Sequence, residues 1–203
     1  MRNEAVPVGR PRDPELERAI LDSAVEVVVE SGFAAARVEE IARRAGTGKA
    51  AIYRRWAGKT ELVVAAAEHL QADVTVPDEG SLREDLVICV RHYVSPDARA
   101  ALVLANVLAE ASRDGEVRGA ATEVIGRPPA RALRTVIERA VARGDVDPSV
   151  PVDLIASIVP SVAFRQVVLE HRGLDEPTAV ALVDDVLLPA LGVRSGRGGS
   201  GAH

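Results

Sequence analysis

The sequence predicts an all-α protein of about nine helices. An N-terminal three-helix unit with a helix-turn-helix precedes a larger C-terminal helical domain. Three observations carry this. Apolar residues recur at i, i+3, i+4 and i+7, and no stretch alternates convincingly as a strand. Hydrophobic residues make up 47% of the 203-residue chain but aromatics only 2%. The core is therefore drawn from Ala, Val, Leu and Ile, as in packed helices. Finally, Arg43, Arg44, Lys49, Arg54, Arg55 and Lys59 form a block with no acidic residue between them, in a chain of net charge −5. Residues 1–62 carry +1 and the remainder −6. A polyanion would therefore dock through this block alone.

Cys89 is the single cysteine and cannot form an internal disulfide, and no Cys/His spacing fits zinc. No metal and no cofactor are expected. The N-terminus has no signal-like apolar core, and the apolar runs read as shorter than a membrane span. The expected location is cytoplasmic, without membrane contact.

Residues 1–13 are expected to be a flexible basic arm. Its Gly9-Arg10-Pro11-Arg12 run reads either as a minor-groove arm or as an ordinary mobile terminus. Asp13 and Pro14 begin the first helix, which ends at Ser31-Gly32. The second helix spans 38–45 with Val38, Ile41, Ala42 and Ala45 inward. The third spans 49–56, with Ile52 and Trp56 inward and Ala50, Ala51, Arg54 and Arg55 outward. Small residues beside arginines are what a helix in the major groove needs. A fourth helix covers 61–70, and Val76–Gly80 is a linker. Helices follow at 82–94 and 97–113, separated at Pro96. The stretch 116–143 is helical, with a kink or break expected at Gly126-Arg127-Pro128-Pro129. Apolar helices at 152–171, bent at Pro160, and 176–191 complete the order. The domains read as 14–62 for DNA binding, 63–192 for regulation and dimerisation, and 193–203 as a disordered tail.

Residues 14–62 resemble the DNA-binding region of the tetracycline-repressor (TetR) family of bacterial regulators. The resemblance rests on Gly32-Phe33, Val38-Glu39-Glu40-Ile41-Ala42, Ala45-Gly46, Lys49-Ala50-Ala51-Ile52-Tyr53-Arg54-Arg55-Trp56 and Lys59-Thr60-Glu61-Leu62. The stretches 114–143 and 164–176 also look like a common C-terminal subtype of that family. The resemblance implies that Thr47, Gly48, Lys49, Ala50, Tyr53, Arg54 and Arg55 face DNA. Tyr53 and Lys59 would hold phosphates, and Lys49, Arg54 and Arg55 would reach base edges or phosphates. Tyr53 reads alternatively as a core aromatic. The chain departs from the family at Ala36-Arg37, where Thr or Ser usually caps the second helix. Arg37 would supply the phosphate contact there, but not the cap. Gly48 stands where serine is frequent.

The resemblance implies a transcriptional regulator, a repressor in the simplest reading. It would bind an inverted-repeat operator on double-stranded DNA as a homodimer, and a small-molecule effector would release it. Ile155, Ile158, Val159, Val162, Val183, Val186, Leu187 and Leu191 are the dimer candidates, with closure of the monomer core as the other reading. Leu86, Cys89, Tyr93, Leu104, Val107, Ile137 and Phe164 are the candidate pocket residues. The alternative is a helical adaptor whose basic face binds an acidic protein. A phosphate-binding loop at residues 45–49 is excluded, because Arg43 and Ala50 stand where Gly and Ser or Thr are required. No catalytic constellation appears among the four histidines, so an enzyme is not expected.

Overall fold

A computed structural model describes residues 13–95 and 97–193. The Gly9–Arg12 arm, the separation at Pro96 and the tail beyond residue 193 lie outside the described residues.

Helix α1 (Pro14–Ala35) begins as its sequence dictates. The Asp13 carboxylate accepts from the backbone amides of Glu15 (3.1 Å) and Leu16 (3.3 Å). It is interrupted at Gly32, whose φ of 78° is open to glycine at little cost. The amide after it, on Phe33, donates to Asn106 Oδ1 at 3.4 Å, tying the end of α1 to a distant helix. The short helices α2 (Val38–Arg44) and α3 (Lys49–Tyr53) follow, then α4 (Lys59–His69). Neither Arg37 nor Gly48 supplies a side-chain cap, so both short helices start uncapped. Helix α3 is shorter than the periodicity predicts. Its regular hydrogen bonding ends at Tyr53, and Trp56 reaches the core from a turn. Ile41, Ile52 and Trp56 are buried against α1 and α4.

The linker after α4 is pinned. Asp85, on α5 (Leu82–Arg91), is 1% exposed and accepts from the Glu79 amide at 2.8 Å. Arg139 donates to the Pro77 carbonyl and approaches Asp78 and Asp85 at 3.5 and 3.7 Å. Ser81 accepts from the Glu84 amide and donates to its carboxylate, capping α5.

Helices α6 (Ala98–Ala111) and α7 (Gly115–Ala121) lead into a π-helical turn, Thr122–Gly126, and then α8 (Arg127–Arg143). The kink or break expected at the Gly-Arg-Pro-Pro run is therefore a widened turn within one rod. Gly126 keeps helical angles and the Arg127 amide donates to the Thr122 carbonyl. Pro128 and Pro129 have no amide to donate, and the extra residue in the turn takes up that mismatch. Helix α9 (Val152–Glu170) contains Pro160. The last rod is α10 (Glu176–Ala181), a second π turn (Leu182–Leu187) and α11 (Leu188–Ala190). Counted as rods, the described residues form nine helices, with one isolated β-bridge between Val94 and Leu174.

Two buried clusters hold these rods. The first joins α1–α4 to α6 and α7 through residues such as Ile20, Val28, Leu62, Val63, Val103, Val107 and Val117. The second joins α5, α8, α9 and the last rod through Leu86, Val90, Leu133, Ile137, Ile155, Val159, Val183 and Leu187. Helices α6 and α7 thus share a core with the N-terminal helices, although they follow them in sequence by more than a linker. Helix α9 is long and apolar enough by length and composition to cross a membrane, contrary to the sequence reading. Its buried stripe, Ile155, Ala156, Val159, Ala163 and Val167, packs against α8 and α6 as a core helix does.

Candidate nucleic-acid interface and ligand cavity

The cations of the basic block divide into three groups. Arg43 and Arg44 are engaged by carboxylates. Arg43 donates to both Glu40 oxygens at 2.9 and 2.6 Å, and Arg44 bridges Glu40 (2.8 Å) and Glu30 (2.7 and 2.6 Å). These bonds hold the Glu40 carboxyl down at about 2, and they staple α2 to α1. Lys49, at the start of α3, pairs with Glu39 at 2.8 Å, and this pairing lowers the Glu39 pKa and raises that of Lys49.

Arg55 and Lys59 bind the protein's own backbone. Arg55 Nη1 donates to the Ala51 carbonyl at 3.0 Å, Glu17 lies 3.7 Å from Nε, and only 11% of the Arg55 side chain is exposed. Lys59 Nζ donates to the Phe33 and Ala34 carbonyls, both at 3.1 Å, and sits 5.0 Å from the Phe33 ring centroid. It thereby satisfies orphan carbonyls at the end of α1 and locks the start of α4 onto it.

Among the described residues, that leaves Arg54, and Arg37 before α2, as exposed cations of this region without a hydrogen bond or ion pair, although the Arg37 charge helps to lower the Glu39 pKa. Tyr53 is 51% exposed beside Arg54, so the core-aromatic reading of Tyr53 falls away. Thr47, Gly48, Lys49 and Ala50 lie on the same accessible edge, with Thr47 half-buried. Two expectations are corrected. Ala51 is buried at 8% exposure, because a five-residue helix packed through Ile52 also turns its neighbour inward. Arg55 is a structural cation, since its guanidinium lies against α3 rather than facing out.

The second feature is a cavity of about 470 Å³. Its wall is drawn from the end of α4 (Leu70, Gln71), the α5–α6 connection (His92–Ser95), α6 (including Leu104 and Leu108), Arg118, the π turn (Thr122, Ile125, Gly126) and α9 (Pro160, Ala163, Phe164, Val167). Of the residues expected to line it, Tyr93, Leu104 and Phe164 do. Leu86, Val107 and Ile137 are fully buried core residues, and Cys89 borders a separate cavity of about 100 Å³. Burial pushes the Cys89 thiol up to about 12, with the Asp85 charge acting in the same direction. Burial also lowers the His92 pKa, against a 2.8 Å bond between Nδ1 and the Ala72 carbonyl. The sequence reading missed Gln71, Arg118 and the π turn. The Pro-Pro run and Pro160 were the available signals, since the first adjoins the π turn that lines the cavity and the second lines it directly.

The outer face of α9 and the last rod is also corrected. Ile155, Val159, Val183, Leu187 and Leu191 are at most 3% exposed and belong to the monomer core. The most apolar stripe of each helix closes the fold. Ile158 and Val162 are half-buried and Val186 is 39% exposed. Leu154 and Leu169 join this outer surface at 65% and 69%.

A helix-turn-helix whose second helix presents an exposed tyrosine and arginine, set on a helical body with an internal cavity, defines a DNA-binding transcriptional regulator. Residues 20–66 match the family described as bacterial regulatory proteins, tetR family. Residues 76–186 match the tetracyclin repressor-like C-terminal domain. The chain belongs to the TetR family. It is 28% identical over 187 residues to an uncharacterised HTH-type regulator, Rv1556, of Mycobacterium tuberculosis, covering 90% of this chain and 93% of that one. It is 28% identical over 173 residues to the DNA-binding transcriptional repressor TetR of Mycobacteroides abscessus, covering 84% and 90%. The fold is shared with the regulator FadR of Bacillus subtilis in complex with stearoyl-CoA, at a TM-score of 0.64, 20% identity, and 92% and 99% coverage.

Proposed function

We propose that this regulator is a homodimeric repressor that binds an inverted-repeat operator and leaves it when a small molecule occupies the 470 Å³ cavity. The observation that carries this is the shared core. The cavity's α6 wall and the N-terminal helices are packed into one buried cluster, and Asn106 of α6 holds the Phe33 amide at the end of α1. Lys59 takes the next carbonyls of the same segment and begins α4, whose far end, Leu70 and Gln71, returns to the cavity. A ligand that changes the spacing of α4 and α6 therefore acts on the DNA-reading helices through contacts already in place. Its leverage equals its differential affinity for the two conformers.

Dimerisation is assigned to the outer face of α9 and the last rod, around Leu154, Leu169 and Val186. Two recognition helices would then lie about 34–36 Å apart, one turn of B-DNA. Tyr53, Arg54, Lys49 and Arg37 are the proposed DNA contacts, with Thr47, Gly48 and Ala50 allowing close approach. The fold neighbour FadR was solved in complex with stearoyl-CoA, which suits a small-molecule effector for this fold; the lining here is this chain's own. The adaptor reading has no support from the family matches. A cytoplasmic location belongs to the same proposal, because a bacterial regulator must reach DNA.

Selection of bound sites from random DNA tests the reading. Inverted repeats that resist competitor DNA are expected, together with twice the chain mass in light scattering. Sequence-blind binding, or a monomer at micromolar concentration, would overturn it.

A further inference from the structure

The cavity is hydrocarbon in its body and polar at its mouth. Leu104, Leu108, Ile125, Ala163 and Val167 are buried or half-buried lining residues, and the wall holds no carboxylate. The Tyr93 hydroxyl and the Gln71 amide nitrogen are sealed behind this surface and offer a guest nothing. His92 is tied to the Ala72 carbonyl through Nδ1, and burial lowers its pKa, so it is neutral at neutral pH. The hydroxyls of Ser95 and Ser112 already donate to the Asp97 and Ala109 carbonyls. Whatever lies in the body must itself be largely hydrocarbon.

The exposed lining residues mark the mouth. They are Ser112, Arg118, Thr122 and Gly126 from the segment around α7, and Phe164 from α9. Arg118 is the charged residue of the wall at neutral pH. Its Nη1 donates to the Ala111 carbonyl at 3.1 Å, and its Nη2 lies 3.3 Å from where a Cβ on Gly115 would stand. The guanidinium is thereby held at the corner between α6 and α7, with most of its five N–H donors unused. Other arginines of this body are neutralised in place: Arg127 by Glu123, Arg134 by Glu138 and Asp153, Arg165 by Glu170. Arg118 has no ion pair. Thr122, four residues on, follows it on the same side of the rod. A cationic head would meet this charge with no acid to offset it. An anion with two oxygens matches the planar fork, and one guanidinium balances one negative charge, which favours a carboxylate over a polyphosphate.

We propose that the cavity takes a medium-chain aliphatic carboxylate, its chain against Leu104, Leu108 and Val167 and its head at the mouth on the Arg118 guanidinium, beside Thr122. This rests on the reading of the cavity as the effector site and adds the ligand's chemistry.

Calorimetry on the full chain with octanoate, 1-octanol and octyltrimethylammonium tests it, with Arg118→Gln and Arg118→Lys alongside. Octanoate should bind most tightly. Arg118→Gln should weaken octanoate by about three- to tenfold, the effect of a partly exposed charged pair, and leave 1-octanol unchanged. Arg118→Lys should restore part of the loss, because it keeps the charge without the fork. On the unmodified chain, added salt should weaken octanoate and spare 1-octanol, a readout that holds even if a variant folds poorly. Four results overturn the proposal: no octanoate binding, 1-octanol or the ammonium compound binding as tightly, octanoate binding indifferent to salt, or octanoate binding unchanged in a folded Arg118→Gln. Operator band shifts on the same preparation separate the two levels. A protein that shifts its selected operator but ignores octanoate refutes the ligand assignment and leaves the regulator standing. Arg118-dependent octanoate binding that leaves the operator complex intact keeps the ligand class and refutes the effector reading. A protein that selects no operator refutes the parent reading.

Discussion

The DNA-reading surface and the cavity handle their polar groups in opposite ways. On the surface the cations are fully charged, and three are already paired: Lys49 with Glu39, Arg43 with Glu40, and Arg44 with Glu40 and Glu30, while Arg54 and Arg37 stand exposed without a hydrogen bond or ion pair. In the cavity, the buried polar groups of Tyr93 and Gln71 are neutral and unpaired. The physics differs accordingly. An exposed pair can exchange a carboxylate for a DNA phosphate with little desolvation, so its net strength is small and salt-sensitive. A buried donor without a partner carries its desolvation cost in the folded protein. The first site is set to exchange partners on a polyelectrolyte, whereas in the second the polar groups are sealed beneath an apolar wall.

The largest expected effect tests whether the two regions act across a dimer. Leu154→Glu or Val186→Asp places a charge on the exposed face of α9 or the last rod without touching the core. Loss of the dimer would leave one half-site per protein and weaken operator binding by about a hundredfold or more. Sedimentation and operator titration read both outcomes; a dimer that survives both substitutions would move the interface elsewhere. Next comes Arg54→Ala. If Arg54 reads a base, selection should relax at one symmetric position, with a loss of about tenfold or more. A uniform loss over all sites assigns it to phosphate instead.

Arg55→Ala sharpens the contrast between neighbours. Arg55 lies against α3 and Glu17, so its removal should lower stability by about 1–3 kcal/mol. Site preference should be unchanged once binding is corrected for the folded fraction. A native Tm with altered base preference would return Arg55 to the DNA surface.

These neighbours also show what the sequence could and could not reveal. Period and punctuation were enough for the rods. Asp13, Gly32, Ser81 and Gly144 sit at helix ends, where local chemistry dictates the backbone. The ordered motif from Gly32 to Leu62 was enough for the DNA-binding unit. Arg54 and Arg55 could not be separated by period, because α3 has only five residues and its end is set by packing of Ile52 and Trp56. The acid-free block looked uncompensated because its carboxylates, Glu30, Glu39 and Glu40, precede it in sequence and meet it only through the fold. The cavity was least legible. Leu86, Val107 and Ile137 are chemically indistinguishable from lining residues, and which side of a leucine-rich helix faces a void depends on how rods are placed. The π turn at Thr122–Gly126 is likewise a compromise between rod continuity and two prolines.

The smallest effect bears most directly on the surface half of the comparison. Glu39 accepts from Lys49 at 2.8 Å, with both side chains more than half exposed. The pairing lowers the Glu39 pKa from 4.5, so the carboxylate's contribution is fully present above that value and is lost only as pH falls below it. Acidification therefore cannot open the pair at the neutral pH where DNA binding is measured, and substitution must. In Glu39→Gln, Lys49 no longer shares its charge with an acid, and one anion facing the DNA phosphates is removed. Operator affinity should rise by about two- to threefold at low salt, the small effect expected of an exposed, solvent-screened ion pair. The salt dependence should steepen, as one more cation becomes available to displace counterions. Lys49→Ala should weaken binding and flatten that dependence. Affinity unchanged in both variants at every salt concentration would mean that Lys49 stays clear of DNA, leaving Arg54, Tyr53 and Arg37 as the operative contacts.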